Sequence, residues 1–288
     1  MDWSKSVVEW QEGNTVYLSV VFTWHLQDAH RRAMEARMMG YRVKAGGPAV
    51  MLMPNYLADV AECNGEQIPA LKRHNPDATF TSRGCVRRCQ FCAVPRIEGE
   101  LRELDDWEPA PIVCDNNLLA CSRAHFDRVI DRLQPFKGQV DFNQGLDARL
   151  LTQYHADQLA TLKPLARLAF DSVAYESSFM RAYERLRKAG FPKSRIRVYV
   201  LMGFEDTPED ALYRLRAVTN LGIDPNPMRY QALDTLAKNS YVGPAWTHSR
   251  LSHYMRYWSN LRFNRAVPFE DWDGKKHPQP DDAQLVLF

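Results

Sequence analysis

The chain has no apolar run approaching the ~18 residues that a membrane span requires. Its first residues, Met1-Asp2-Trp3-Ser4-Lys5, lack the basic-then-apolar order of an export signal. Charge of one sign is scarce too. Lys and Arg number 37 against 35 Asp and Glu, leaving a net charge of +2. The whole-molecule field is therefore weak, and any grip on nucleic acid rests on local patches. These absences predict a cytoplasmic protein with no membrane partner, in a compartment where thiols stay reduced. Clustered cysteines there favour metal binding over disulfides. What is present is ordinary for a globular fold: 45% apolar and 25% charged residues. A length of 288 residues allows one large domain, or one plus a small appendage.

Three of the six cysteines lie in Thr79-Phe80-Thr81-Ser82-Arg83-Gly84-Cys85-Val86-Arg87-Arg88-Cys89-Gln90-Phe91-Cys92, spaced C-x3-C-x2-C. Cys63, Cys114 and Cys121 are scattered, and their default reading is as small apolar residues. A loop this short brings three thiolates onto one centre and has no fourth to offer. Zinc with a distant fourth ligand and an iron–sulfur cluster both fit. Zinc sites usually pair C-x2-C knuckles, and there is no second knuckle. A four-iron cluster held by three cysteines keeps one iron open, a seat for the amino and carboxylate groups of S-adenosylmethionine.

Around the loop, strand and helix patterns alternate. Val16 to Phe22 reads as a buried strand, Gln27 to Met39 as a helix ended by Gly40, and Tyr41 to Ala45 as a second strand. Gly46-Gly47-Pro48 follows as a turn, closing a small βαβ unit. Gly65 to Asp77 reads as a connector. Strands are expected at Ala78 to Arg83, Pro111 to Asp115, Gln139 to Asn143, Leu165 to Asp171, Arg195 to Met202 and Pro227 to Ala232. Helices are expected at Arg123 to Leu133, Thr152 to Leu162, Tyr175 to Ala189 and Thr207 to Leu221. The last has Thr at the N-cap, Pro in the first turn and acids near the positive dipole end. Six strands with crossovers predict an α/β fold with a parallel sheet, too short for eight strands and read as an open (β/α)6 barrel.

Polar residues gather where these strands end: Asp115-Asn116-Asn117, Asn143-Gln144, Asp171-Ser172, Gly203 with Glu205-Asp206, and Arg229 with Gln231. Carboxyl ends of parallel strands form the usual site rim. Each Asp or Asn alone also reads as a helix cap. Between Trp246 and Arg265 the chain is basic and aromatic and reads as a helix. Its default role is a lid packed on the core. The functional alternative is a nucleic-acid surface, since Arg grips phosphate and aromatics stack on bases. The tail from Gly274 to Asp282 is polar and proline-rich. The resulting plan is 1–77 for the small unit and connector, 78–232 for the barrel, and 233–288 for a helical extension and tail.

Cys85-x3-Cys89-x-Phe91-Cys92, with an aromatic before the last cysteine, resembles the signature of the radical S-adenosylmethionine (radical SAM) superfamily. The surrounding run is similar to its methylthiotransferase and cobalamin-associated branches, with Val86 where Pro is common. The likeness spans Ala78 to Ala232. It implies a partial TIM-like barrel in which Cys85, Cys89 and Cys92 ligate a [4Fe-4S] cluster. Phe91 would shield the cluster and touch the adenine. Asp115, Asn116 and Asn117 would stand where the family receives the methionyl amino group, although its Gly-Gly-Glu-like run is absent. Gln144, Arg149 and Asp171 would reach the cofactor's carboxylate or ribose, and Met202 and Gly203 the adenine. Arg149 reads equally as a surface residue at a helix start. The N-terminal unit is similar to a shortened cobalamin-binding Rossmann-like domain. It has no Asp-x-His-x-x-Gly motif around His25 or His30, which implies no cobalamin.

The resemblance further implies a 5′-deoxyadenosyl radical that abstracts hydrogen, and an electron donor such as flavodoxin or ferredoxin. Arg83, Arg87, Arg88 and Arg96 flank the loop, which leans the substrate towards a nucleic acid or nucleotide base. A peptide or small metabolite stays open, because the same arginines can pair with Glu98, Glu100, Glu103 and Asp105. A non-catalytic metal-bearing or iron–sulfur nucleic-acid-binding protein is the competing class.

Overall fold

The structure is a computed structural model and describes residues 3–63 and 70–275. It is a mixed α/β fold whose chain divides into two compact units. The first holds 1–136 with 231–240, the second 137–230 with 241–288. Part of the expected connector and most of the expected tail lie outside the described residues.

The first unit begins with a hairpin that the sequence reading did not anticipate. β1 (Val8–Glu12) runs antiparallel to β2 (Thr15–Ser19) across a two-residue turn, where Gly13 takes φ +57°. Trp10 sits opposite Tyr17, and their rings stack at 5.1 Å. α1 (Leu26–Met38) then crosses over to β3 (Arg42–Gly46), parallel to β2. Leu26, Ala29, Ala33 and Ala36 form the buried stripe of α1 and pack with Leu18, Val20, Val43 and Ala45. β2 is shorter than expected. Beyond Ser19 the Val20 amide still reaches the Gly46 carbonyl, and its own carbonyl then takes the amide of Ala49, which turns the chain away. That close approach needs Gly47, at φ +96°, where a Cβ would lie 2.6 Å from the Val20 oxygen. α2 (Pro48–Leu52) starts directly after it.

α3 (Leu71–His74) leads into β4 (Ala78–Thr79) and β5 (Ser82–Arg83), two short strands where one was expected. The cysteines follow, then α4 (Val94–Ile97), β6 (Arg102–Glu103), β7 (Ile112–Val113) and α5 (Arg123–Arg132). β4 pairs parallel with β7, whereas β5 pairs antiparallel with β6.

The second unit carries β8 (Asp141–Phe142), α6 (Gln153–Leu162), β9 (Ala166–Ala169), α7 (Glu176–Lys188), β10 (Ile196–Met202), α8 (Pro208–Asn220) and β11 (Pro225–Arg229). β9, β10 and β11 form a parallel ladder with β10 in the middle. β11 starts two residues earlier than expected. Pro225 and Pro227 donate no amide, and both are tolerated because this strand pairs on one side only in the ladder. Thr207 and Asp210 cap α8 reciprocally, as the sequence suggested.

The basic-aromatic stretch forms α9 (His248–Trp258) and α10 (Leu261–Asn264) rather than one helix. α9 packs on β11. Trp246, Tyr254, Tyr257 and Trp258 are buried, and Phe269 meets Tyr254 and Tyr257 edge-on. Arg250 pairs with Glu209 at 2.8 Å and Arg265 with Asp224 at 2.6 Å. The segment therefore packs as a cover, with its large rings turned inward.

Arg214 ties this unit together. It has no exposed surface, and its guanidinium donates to the carbonyls of Phe170 at 3.0 Å and Leu201 at 2.7 Å and to the Asp206 carboxylate. A buried cation is stable only when its donors are this fully used. Arg214→Ala leaves Asp206 without its cation and is expected to cost about 3–5 kcal/mol in urea unfolding. Replacing both partners while keeping an acceptor for the Gly203 amide and the Trp246 indole (Arg214→Met with Asp206→Asn) should cost clearly less. Equal losses for the two variants would show that the pairing itself is not what matters.

Candidate metal centre

The loop that carries Cys85, Cys89 and Cys92 is closed at its base by the β5–β6 ladder, with Ser82 opposite Glu103 and Arg83 opposite Arg102. The chain reaches that ladder through a break. Thr81 gives its amide to Asp115 Oδ1 at 2.6 Å and its hydroxyl to Asp115 Oδ2 at 2.5 Å. Ser82 adds its own hydroxyl at 2.9 Å. A backbone amide spent on a carboxylate is lost to the sheet, so the expected strand splits at Phe80-Thr81 and changes partner from β7 to β6. Asp115 is 3% exposed. Burial pushes its carboxyl above the usual carboxylate range, and the Thr81 and Ser82 donors oppose that shift.

His125 extends the network. Arg128 donates to its Nδ1 at 2.9 Å, which assigns the ring proton to Nε2, facing the Thr81 hydroxyl at 3.1 Å. The protons then run in one direction, from His125 to Thr81 to Asp115. Burial holds His125 below its ordinary value of 6.5, against the pull of Glu103. His74, bonded to Ser19 Oγ at 2.9 Å, is held down by burial as well.

Past the ladder, Glu98 shapes the start of the loop. Its side chain is 8% exposed and accepts from Arg83 at 2.9 Å, from the Gly84 amide at 2.8 Å and from Asn116 Nδ2 at 2.7 Å. Gly84 stands at φ +73°, where a Cβ would fall 2.0 Å from the Glu100 carbonyl oxygen. The Cys85 amide reaches the Gly99 carbonyl, and the Cys92 amide that of Cys89. Two donors face the Cys85 sulfur: the Arg87 amide at 3.3 Å and Asn117 Nδ2 at 3.6 Å. Burial pushes the Cys92 thiol up, the Val94 amide opposes it, and the neighbouring Cys89 and Cys85 push it further. Cys89 and Cys85 thus lie within electrostatic reach of Cys92.

All three thiols are free and half-buried. Among the described residues, no three His, Cys, Asp or Glu side chains stand close enough together to hold a metal ion. The chemistry of the donor set is nonetheless that of a three-thiolate centre: three free thiols in one loop closed at its base, with the Arg87 amide and Asn117 Nδ2 facing the Cys85 sulfur. Of the remaining cysteines, Cys114 is buried, and burial pushes the half-buried Cys121 up to about 11, which keeps it a neutral thiol.

The expected cofactor residues divide between the units. Phe91, half-buried, and Asp115, Asn116 and Asn117 lie with the cysteines in the first. Asp115 is filled by Thr81 and Ser82, and Asn116 is held by Glu98. In the second unit Gln144 is exposed in a turn, and Met202 is buried. Arg149 is held by both oxygens of Asp147, at 2.7 and 3.2 Å, and lies over the Tyr175 ring. Asp171 is half-buried. Burial pushes its carboxyl up, while Arg214, the Leu201 amide and Arg149 pull it down. Gly203, at φ +85°, lets Leu251 of α9 sit where a Cβ would be. Glu98, Thr81, Ser82 and His125 escaped the sequence reading as site residues. The one hint was Glu98 as an arginine partner.

Compared with family models, curated proteins and solved structures, the chain matches none.

Gly84→Ala should lower the affinity for a thiophilic ion such as Co(II) about tenfold, because the strained position cannot hold a Cβ. Titration followed by the thiolate-to-cobalt absorption measures this, and unchanged affinity would refute the loop geometry. A second expectation concerns pH. With His125 and His74 held below 6.5, the unfolded chain binds more protons than the folded one on the acid side of that value. Stability should therefore fall as pH drops below about 6.5, until the folded histidines themselves titrate. The melting temperature of His125→Gln should decline less steeply over the same range.

Proposed function

We propose that the chain is a radical S-adenosylmethionine enzyme acting through hydrogen abstraction, with its site built on Cys85, Cys89 and Cys92. The observation that carries this reading is the pinned loop, with three free thiols and no fourth in the same loop. A [4Fe-4S] cluster held by Cys85, Cys89 and Cys92 would supply the electron that cleaves S-adenosylmethionine to methionine and a 5′-deoxyadenosyl radical. The chain's own residues hold and orient. The Arg87 amide and Asn117 orient the Cys85 sulfur, Glu98 fixes the loop's start, and Asp115 is a positioning residue acting through Thr81 and Ser82. Phe91, half-buried next to Cys92 in the chain, is the residue that would shield the cluster and touch the adenine.

The same reading takes the strands from β4 to β11, β5 and β6 apart, as a partial (β/α)6 TIM-like barrel. It keeps Gln144, Arg149 and Asp171 as candidates for the cofactor's carboxylate and ribose, and Met202 and Gly203 for its adenine. Asp147 holds the Arg149 guanidinium in a fixed plane, which suits recognition of a carboxylate. The electron arrives from a carrier such as flavodoxin or ferredoxin.

The test is anaerobic reconstitution with iron and sulfide, reduction, and addition of S-adenosylmethionine. 5′-Deoxyadenosine is expected, and Cys85→Ala should abolish cluster and product together. A reducible four-iron cluster that yields no 5′-deoxyadenosine would overturn the proposal. Colourless, zinc-loaded protein would favour a non-catalytic metal-binding role.

A further inference from the structure

The first unit carries an aromatic platform that the proposed chemistry leaves unused. Phe22 and Trp24 lie just past the carboxyl end of β2, with rings 4.5 Å apart and 8° from parallel. His25 meets both rings edge-on at 6.0 Å. Phe22 is 46% exposed, although the core behind it is already closed by Leu18, Val20 and Leu26 at 0% exposure. Packing therefore does not account for the outward ring.

An exposed cation lies over the Trp24 ring of this stack. Lys238 Nζ lies 5.5 Å from the centroid of the Trp24 ring. The segment bearing it is anchored where Thr23 Oγ1 donates to the Thr235 carbonyl at 2.5 Å and Leu236 packs on the unit's core. The platform also neighbours the cysteines. α2 packs both against the turn Thr23–His25 and against α4, which starts two residues after Cys92. α2 thus touches both the segment that carries Trp24 and the segment that adjoins the cysteine loop. On that side stand the exposed Arg96 and Arg88, the latter loosely paired with Glu100 at 3.8 Å.

We propose that Phe22, Trp24 and Lys238 form a docking site for a nucleobase of a single-stranded nucleic acid, and that such a strand is the substrate presented to the cysteine loop. The second half rests on the radical-enzyme reading, whereas the first does not. A base offers a flat π-face that extends the two-ring stack, and its phosphates offer negative charge to Lys238, Arg88 and Arg96. A duplex keeps its base faces inside, and an aromatic peptide side chain carries no attached anion. Stacking on rings together with nearby cations selects the single strand.

The experiment uses the full-length chain and fluorescence anisotropy with labelled 12-nucleotide strands of RNA and of DNA. The matching duplex and a free mononucleotide serve as competitors. One single strand should bind at least tenfold more tightly than either competitor, and the RNA and DNA arms identify which. Phe22→Ala should weaken binding about tenfold with an unchanged melting temperature, since the ring is exposed. Lys238→Gln should reduce the slope of log affinity against log salt by about 0.7, one phosphate contact on a single strand. Equal binding of duplex or mononucleotide, or indifference to Phe22→Ala, would overturn the proposal. Binding requires no cleavage of S-adenosylmethionine. Phe22-dependent binding without 5′-deoxyadenosine would therefore remove the radical reading alone, and the converse result would remove the platform alone.

Discussion

The carboxylate of Asp115 governs the first unit. A buried charge with unfilled lone pairs is too costly to keep, so the chain must bring donors to it. The Thr81 amide, the Thr81 hydroxyl and the Ser82 hydroxyl are those donors. Supplying the amide interrupts the β4 direction, and the interruption sends Ser82-Arg83 to a new antiparallel partner. The cysteine loop therefore begins off the parallel sheet, on a base closed by its own two-stranded ladder. Glu98 then repeats the device one step later by taking the Gly84 amide. Two largely buried acids, rather than the cysteines themselves, hold the loop in shape.

The second unit solves the related problem with the opposite charge. Where β9 and β10 end, their last carbonyls run out of ladder partners, and a buried carbonyl needs a donor. Arg214 supplies donors to Phe170 and Leu201 at once and is neutralised by Asp206. Asp206 also accepts the Gly203 amide at 2.8 Å and the Trp246 indole at 3.1 Å. One ion pair thus couples two strand ends to the segment that leads into α9. Burying charge at strand ends is costly, and both units do it where parallel strands stop.

Much of this was legible in the sequence, for local reasons. Helical spacing and caps fixed α1, α5, α6, α7 and α8 to within about a residue or two, because the capping residues and the apolar stripe are read from neighbours in the chain. β10 was equally plain, an apolar run with alternating burial. β1 was not, because Val-Glu-Trp-Gln-Glu looks polar and its stability comes from Tyr17 across the hairpin. The Gly13-Asn14 turn was the available signal. The break at Phe80-Thr81 was invisible, since its cause is a carboxylate 34 residues away. Cys85, Cys89 and Cys92 declared themselves by spacing. Glu98, Thr81 and His125 did not, because a side chain that supports a loop through tertiary hydrogen bonds carries no pattern in sequence.

Composition also misleads about which aromatics meet solvent. The stretch from Trp246 to Arg265 has the mixture expected of a nucleic-acid surface, yet four of its large rings are buried, and Arg250 and Arg265 are paired with acids. An amphipathic helix that covers a core needs the same residue types as one that grips a polyanion, so composition cannot separate them. Phe22 and Trp24 show the converse. They follow an apolar run that reads as a buried strand, but the strand ends at Ser19, the Val20 carbonyl accepts from Ala49, and Phe22 beyond it is exposed. Availability of a ring face is set by where the backbone hydrogen bonds go. In this chain that accounting directs attention to residues 22–24, on a turn that α2 packs against, and away from the segment richest in arginine and tryptophan.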